Sequence, residues 1–116
     1  MRTALSKQQV ITEFQSSEFV LKTQQQIAKD LAQFSIKFNS GFLTNTLFYE
    51  DILIELESKL AELMRVGETQ FMQYLYQVDL PEKEFLNLLN DSNFLQKISE
   101  LILRREAYKV YLRAKY

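Results

Sequence analysis

The sequence predicts an all-α fold, an antiparallel helical bundle of three to four helices that takes up residues 1–116 as a single domain. Three observations predict it. Glycine occurs twice and proline once, whereas chains rich in strands and tight turns use both freely, because such turns need a positive or a fixed φ. Apolar side chains recur in steps of three and four over long stretches, which is the period of one helix face. Apolar residues make up 47% of the chain and charged residues 25%, enough to fill a core without the charge excess that keeps a chain unfolded.

The elements follow in order. An N-terminal piece carries Val10, Ile11 and Phe14, and either runs on into the next helix or bends near Ser16–Ser17. The first long helix is expected over 17–38, with Ser17 as its cap and Glu18 just inside, where a negative charge suits the helix N-terminus. Val20, Ile27, Leu31, Phe34 and Phe38 line its core face, with Gln24 filling one slot. Asn39-Ser40-Gly41 reads as its stop, since Asn and Gly tolerate the left-handed C-terminal cap.

A second long helix is expected over 46–79, with caps offered by Thr44, Asn45 and Thr46 and with Glu50 and Asp51 in its first turns. Its ladder is Leu53, Leu56, Leu60, Leu63 or Met64, Gly67, Phe71, Tyr74 or Leu75, and Val78. The ladder keeps phase across Gly67, so we expect a continuous helix with Gly67 as a point of close approach; the alternative ends one helix there and opens the next at Thr69. Two adjacent stripes, Ile52/Leu56/Leu63 and Leu53/Leu60/Met64, widen the apolar sector and motivate a homodimer as one expectation. Pro81 fits the first turn of a short helix near 81–90, with Asp79 as its cap and Phe85, Leu86, Leu88 and Leu89 along it. Asn90-Asp91-Ser92-Asn93 separates it from a last helix near 93–114.

The segment Leu75-Tyr76-Gln77-Val78-Asp79-Leu80-Pro81-Glu82 resembles a stretch of small, uncharacterised bacterial helical proteins. The resemblance implies a small all-helical bacterial protein; it brings with it neither an activity nor any site residue.

Composition excludes several chemistries. With no Cys and no His, the chain has no disulfide, thiolate nucleophile, imidazole base or imidazole ligand, and no His-dependent triad. Glycines at 41 and 67 alone cannot build a phosphate-cradling loop. MRTALSKQQVITEFQ holds no apolar run of signal-peptide length, and no window approaches the ~20 apolar residues of a membrane span. The expectation is a cytoplasmic chain without cofactor.

Net charge is −1 but uneven: +2 over 1–44, −7 over 45–93 and +4 over 94–116. The acids Asp51, Glu55 and Glu62 share a helix face with Lys59, the pattern of a solvated, ion-paired surface rather than a metal site. The end of the chain, RREAYKVYLRAKY, supplies the candidate contact residues Arg104, Arg105, Tyr108, Lys109 and Arg113 for a partner or nucleic acid. Cations and tyrosines are the residue types that grip phosphates and stack bases. Cations near a helix C-terminus also offset the helix dipole, and tyrosines there lay their rings on a core edge. The near-neutral whole chain disfavours nucleic acid. Paired carboxylates in a bundle are the residue type of an enzyme, and the aromatic load allows a carrier of small hydrophobic ligands. The favoured function is a non-catalytic interaction or scaffold module that binds another protein or a second copy. A nucleic-acid helper and an enzyme or carrier are the alternatives.

Overall fold

The computed structural model describes residues 4–115. Among these residues it is all-α, with α1 Lys7–Glu13, α2 Ser17–Ala32, α3 Ser40–Thr44, α4 Tyr49–Val66, α5 Glu68–Gln77, α6 Glu82–Leu88 and α7 Phe94–Lys115. The expected class holds, but the count among the described residues is seven, not three to four. The extra helices come from breaks at Ser16, Ser35, Gly67 and Asp79.

The N-terminal piece is a separate helix. Ser6 closes a capping box on α1, its Oγ accepting from the Gln9 N–H at 3.1 Å while Gln9 Oε1 accepts from the Ser6 N–H at 2.8 Å. The cap of α2 is Ser16 rather than Ser17, its Oγ accepting from the Phe19 N–H. α2 stops at Ala32, well before the expected end at 38. Ser35 adopts φ 64, and the Ile36 and Ser35 N–H groups reach back to the Leu31 and Ala32 carbonyls. This closes the last turn with a left-handed residue. Asn39 then starts a helix instead of stopping one: its side chain accepts from the Phe42 N–H and caps α3.

The expected continuous helix over 46–79 is broken at Gly67, which is extended (φ 159, ψ 154) and flanks α4 and α5 at once. The Cβ-free residue costs about 1 kcal/mol inside a helix relative to Ala, so it is the weakest link of the ladder. The Gly67 N–H still bonds the Leu63 carbonyl and its own carbonyl takes the Phe71 N–H. The helix therefore breaks without stranding these groups, and α5 packs back against α4. The ladder itself is core as read: Leu53, Leu56, Leu60, Leu63, Phe71, Tyr74, Leu75 and Val78 are all buried. Helix α4 opens after Phe48, with no side-chain cap from Thr44, Asn45 or Thr46, and Glu50 and Asp51 lie in its first turn.

Asp79 is not the cap of α6. It closes α5, at φ 58, with the Leu80 N–H bonded to the Leu75 carbonyl and its own N–H to Tyr76. A short acidic side chain tolerates this left-handed position better than most. Pro81 precedes α6, as its fixed φ permits.

Helix α7 is the hub. Its 22 residues span about 33 Å at 1.5 Å per residue, matching the 34 Å longest extent of the molecule. It packs against α1, α2, α4 and α6. Ile98, Ser99, Ile102, Leu103, Arg105, Glu106, Ala107 and Val110 are buried, a sector of roughly 200° at 3.6 residues per turn. A helix covered on so many sides cannot keep a narrow apolar stripe, and polar side chains fall inside it. The aromatic residues meet one another: Phe34 abuts Tyr74, Phe38 stacks on Phe42 at 4.0 Å, and Phe71, Phe85 and Phe94 form a triangle. Both stripes of α4 face neighbours within the chain, and of the six residues only Met64 is exposed. The width that motivated a homodimer is thus accounted for internally. The longest apolar stretches stay short too: among the described residues, no helix is long and apolar enough to cross a membrane.

Candidate functional site

Two places depart from the ordinary division of apolar inside and polar outside. The first is a polar seam where α2, α5 and α7 meet. Glu106 is fully buried and Asp30 nearly so. Lys109 lies between them, its Nζ 2.9 Å from Asp30 Oδ2 and 3.4 Å from Glu106 Oε1. Asp30 Oδ1 also accepts from Gln26 Nε2 at 2.9 Å and from Gln77 Nε2 at 3.4 Å. Arg113 Nη1 in turn donates to Gln26 Oε1. Asp30 is thereby surrounded by donors. Neither Glu106 oxygen, nor the Tyr74 hydroxyl, nor the Ser99 hydroxyl has a hydrogen-bond partner among the described residues.

The electrostatics follow from that asymmetry. Burial, and then the neighbouring Asp30, push Glu106 well above the ordinary carboxyl range, against the opposing pull of Lys109. Burial lowers the Lys109 ammonium, but Glu106 and Asp30 outweigh it and hold its pKa above the usual lysine value. Burial, then the charges of Glu106 and Asp30, raise the Tyr74 hydroxyl well above its ordinary value. Lys109 offsets the Asp30 carboxylate, and burial disfavours a second negative charge on Glu106, as a low-dielectric interior requires.

The sequence pointed to one strand of this arrangement. Arg104, Arg105, Tyr108, Lys109 and Arg113 all lie on α7, and all five are engaged within the chain. Arg104 Nε donates to the Leu5 carbonyl at 2.7 Å and fixes the N-terminal segment. Arg105 is buried; its Nε donates to the Val78 carbonyl at 2.8 Å and its Nη2 lies 3.4 Å from Asp79 Oδ2, so it caps the C-terminal end of α5. Tyr108 lies under the Arg105 guanidinium at 5.7 Å. Lys109 and Arg113 belong to the seam. Asp30, Glu106, Gln26 and Tyr74 were missed. Glu106 had a signal, since it sits four residues from both Ile102 and Val110 on a buried ladder. Asp30 had none as clear, because its partners are remote in sequence.

A second polar residue in the core acts by position alone. Gln24, fully buried in the slot left open in the α2 ladder, donates to the Phe42 and Asn45 carbonyls and accepts from the Leu47 N–H. It ties the α3 loop to α2.

The other departure is the corner formed by α5 and α6. Helix α6 fully buries none of its residues. Phe85 and Leu88 are half-covered by the core, whereas Leu86 and Leu89 are 54% and 51% exposed and Tyr76 of α5 is 66% exposed. Met72, Leu75, Tyr76 and Phe85 line a shallow apolar groove between the two helices. Glu82 and Glu84 lie in the first turn of α6 beside it.

The acids of α4 read as a possible site behave as surface: Lys59 lies 3.8 Å from Glu62 and over the Phe38 ring. Among the described residues no three carboxylates converge as metal ligands. Compared with protein-family models, with curated proteins and with solved structures, the chain matches none.

Proposed function

We propose that this protein is a non-catalytic helical interaction module whose working surface is the α5–α6 corner. The observation that carries the reading is the exposure of Leu86 and Leu89 on a helix that fully buries nothing of its own. An isolated helix of seven residues lies far below the ~12–15 residues at which helices become marginal in water. Phe85 and Leu88 pack it against the core, and covering the exposed half of Leu86 or Leu89 would stabilise the assembly by about 1 kcal/mol each. The fitting partner is a polypeptide segment that presents apolar side chains, with basic residues opposite Glu82 and Glu84. The cations of α7 favour this reading over a nucleic-acid grip, because Arg104, Arg105 and Lys109 already bond within the chain.

A photo-crosslinking residue placed at Leu86 or Leu89 tests the proposal, with Ile54 on the outer face of α4 as the exposed control. The expected result is a discrete protein adduct from the two α6 positions and none from Ile54. Equal labelling from all three, or from none, would sink it. Light scattering across micromolar concentrations separates a second copy of the chain from a different protein.

A further inference from the structure

We propose that the cleft between α2 and α7, above the polar seam, binds a small phosphate-bearing ligand with at least two negative charges. Lys22 and Lys29 of α2 and Arg113 of α7 rim it, and no acidic side chain lines it. Its volume is about 370 Å³, within the range of small-molecule sites. Val110 and Ala114 give it an apolar wall. Lys22 and Lys29 lie two turns apart, about 10 Å along the helix axis, and both line the cleft.

The three cations are not equally engaged. Lys29 is exposed and has no ion pair among the described residues. Lys22 pairs with Glu18 at 3.0 Å, but both are exposed and four residues apart, a pairing worth only a few tenths of a kcal/mol. Arg113 gives Nη1 to Gln26, which leaves most of its five N–H donors for a ligand. Gln26 is itself pinned, because its amide nitrogen donates to Asp30. The contact therefore aims the guanidinium at a fixed place. The carboxylate of Asp30 behind that amide is balanced by Lys109. Three cations lining one concave, acid-free cleft attract a compact dianion more strongly than a long strand. The acidic middle of the chain, −7 over 45–93, opposes a polyanion lying across the surface.

Amide NMR of the full chain, titrated with inorganic pyrophosphate at constant ionic strength, tests this. Saturable shifts are expected at residues 22–29 and 110–114. Lys29→Gln, which breaks no contact within the fold, is expected to weaken the affinity roughly tenfold, the loss of one charge-assisted contact. Lys29→Gln/Arg113→Gln is expected to abolish saturation, and Lys83→Gln on α6 to leave the affinity unchanged. Shifts that scatter over all surface lysines without saturating would overturn the proposal, as would unchanged affinity in Lys29→Gln. So would tighter binding of a single-stranded oligonucleotide with shifts running outside the cleft, which would assign the cations to nucleic acid instead.

Discussion

The seam between α2 and α7 and the corner of α6 break the same rule in opposite directions. In the seam, Asp30, Glu106 and Lys109 sit where apolar residues are expected, and they are tolerated because each compensates another. At the corner, Leu86 and Leu89 sit in water, and nothing in the chain compensates them. The seam is closed chemistry, whose energetics depend on its own members. The corner is open, and its energetics depend on what covers it. A buried charged cluster acts on stability and pH response, whereas an exposed apolar edge contributes little to the stability of the isolated chain.

This contrast is most easily broken at Lys109. Lys109→Met leaves the buried Asp30 carboxylate without its cation and is expected to cost about 4 kcal/mol in urea unfolding at pH 7. A loss under about 1 kcal/mol would mean that water reaches the seam. Gln24→Ala is expected to rank next, at about 2 kcal/mol, because it strands the buried Phe42 carbonyl and removes the partner of the half-buried Asn45 carbonyl and Leu47 N–H. Hydrogen exchange should show lost protection at Leu47 ahead of the other amides.

Glu106→Gln sharpens the comparison with the opposite sign. Below about pH 4.3 the Glu106 carboxyl is protonated in both the folded and the unfolded chain, and its contribution is fully present. As pH rises, the unfolded chain ionises while burial and Asp30 hold the proton on Glu106 in the fold. Stability is then lost, by up to about 1.4 kcal/mol per pH unit, until the raised folded pKa is passed. Glutamine removes that loss and keeps an oxygen for Lys109 and an amide for Asp30. The variant is expected to be more stable than the wild type at pH 7, with the difference vanishing near pH 4. A destabilised variant at pH 7 would show that Glu106 is ionised in the fold. The smallest effect is expected at the corner: Leu86→Gln/Leu89→Gln should move stability by under about 0.5 kcal/mol per site, since both side chains are already exposed. A larger loss would place them inside an assembly in the wild type.

Much of this was legible in the chain. The all-α class, the ladder from Leu53 to Val78 and the start signal at Pro81 follow from period and local backbone chemistry, which act within a turn or two. The candidate set on α7 named side chains that the fold engages within the chain, and the partners of its charges could not be read in the sequence. Lys109 meets Asp30 across 79 positions and Arg104 meets Leu5 across 99. No local pattern specifies such pairs.

The breaks divide in the same way. Gly67 carried a readable alternative, and an unbroken apolar phase hid it. Ser35 and Asp79 carried no glycine to mark a left-handed residue, so the ends of α2 and α5 were set by packing. The sequence by itself determined the helical class and which face of the long ladders is apolar, because both depend on neighbours three and four positions away. Only the tertiary structure decided where helices bend, which charges are buried together and which leucines stay in water, because those outcomes depend on what remote segments bring to the same place.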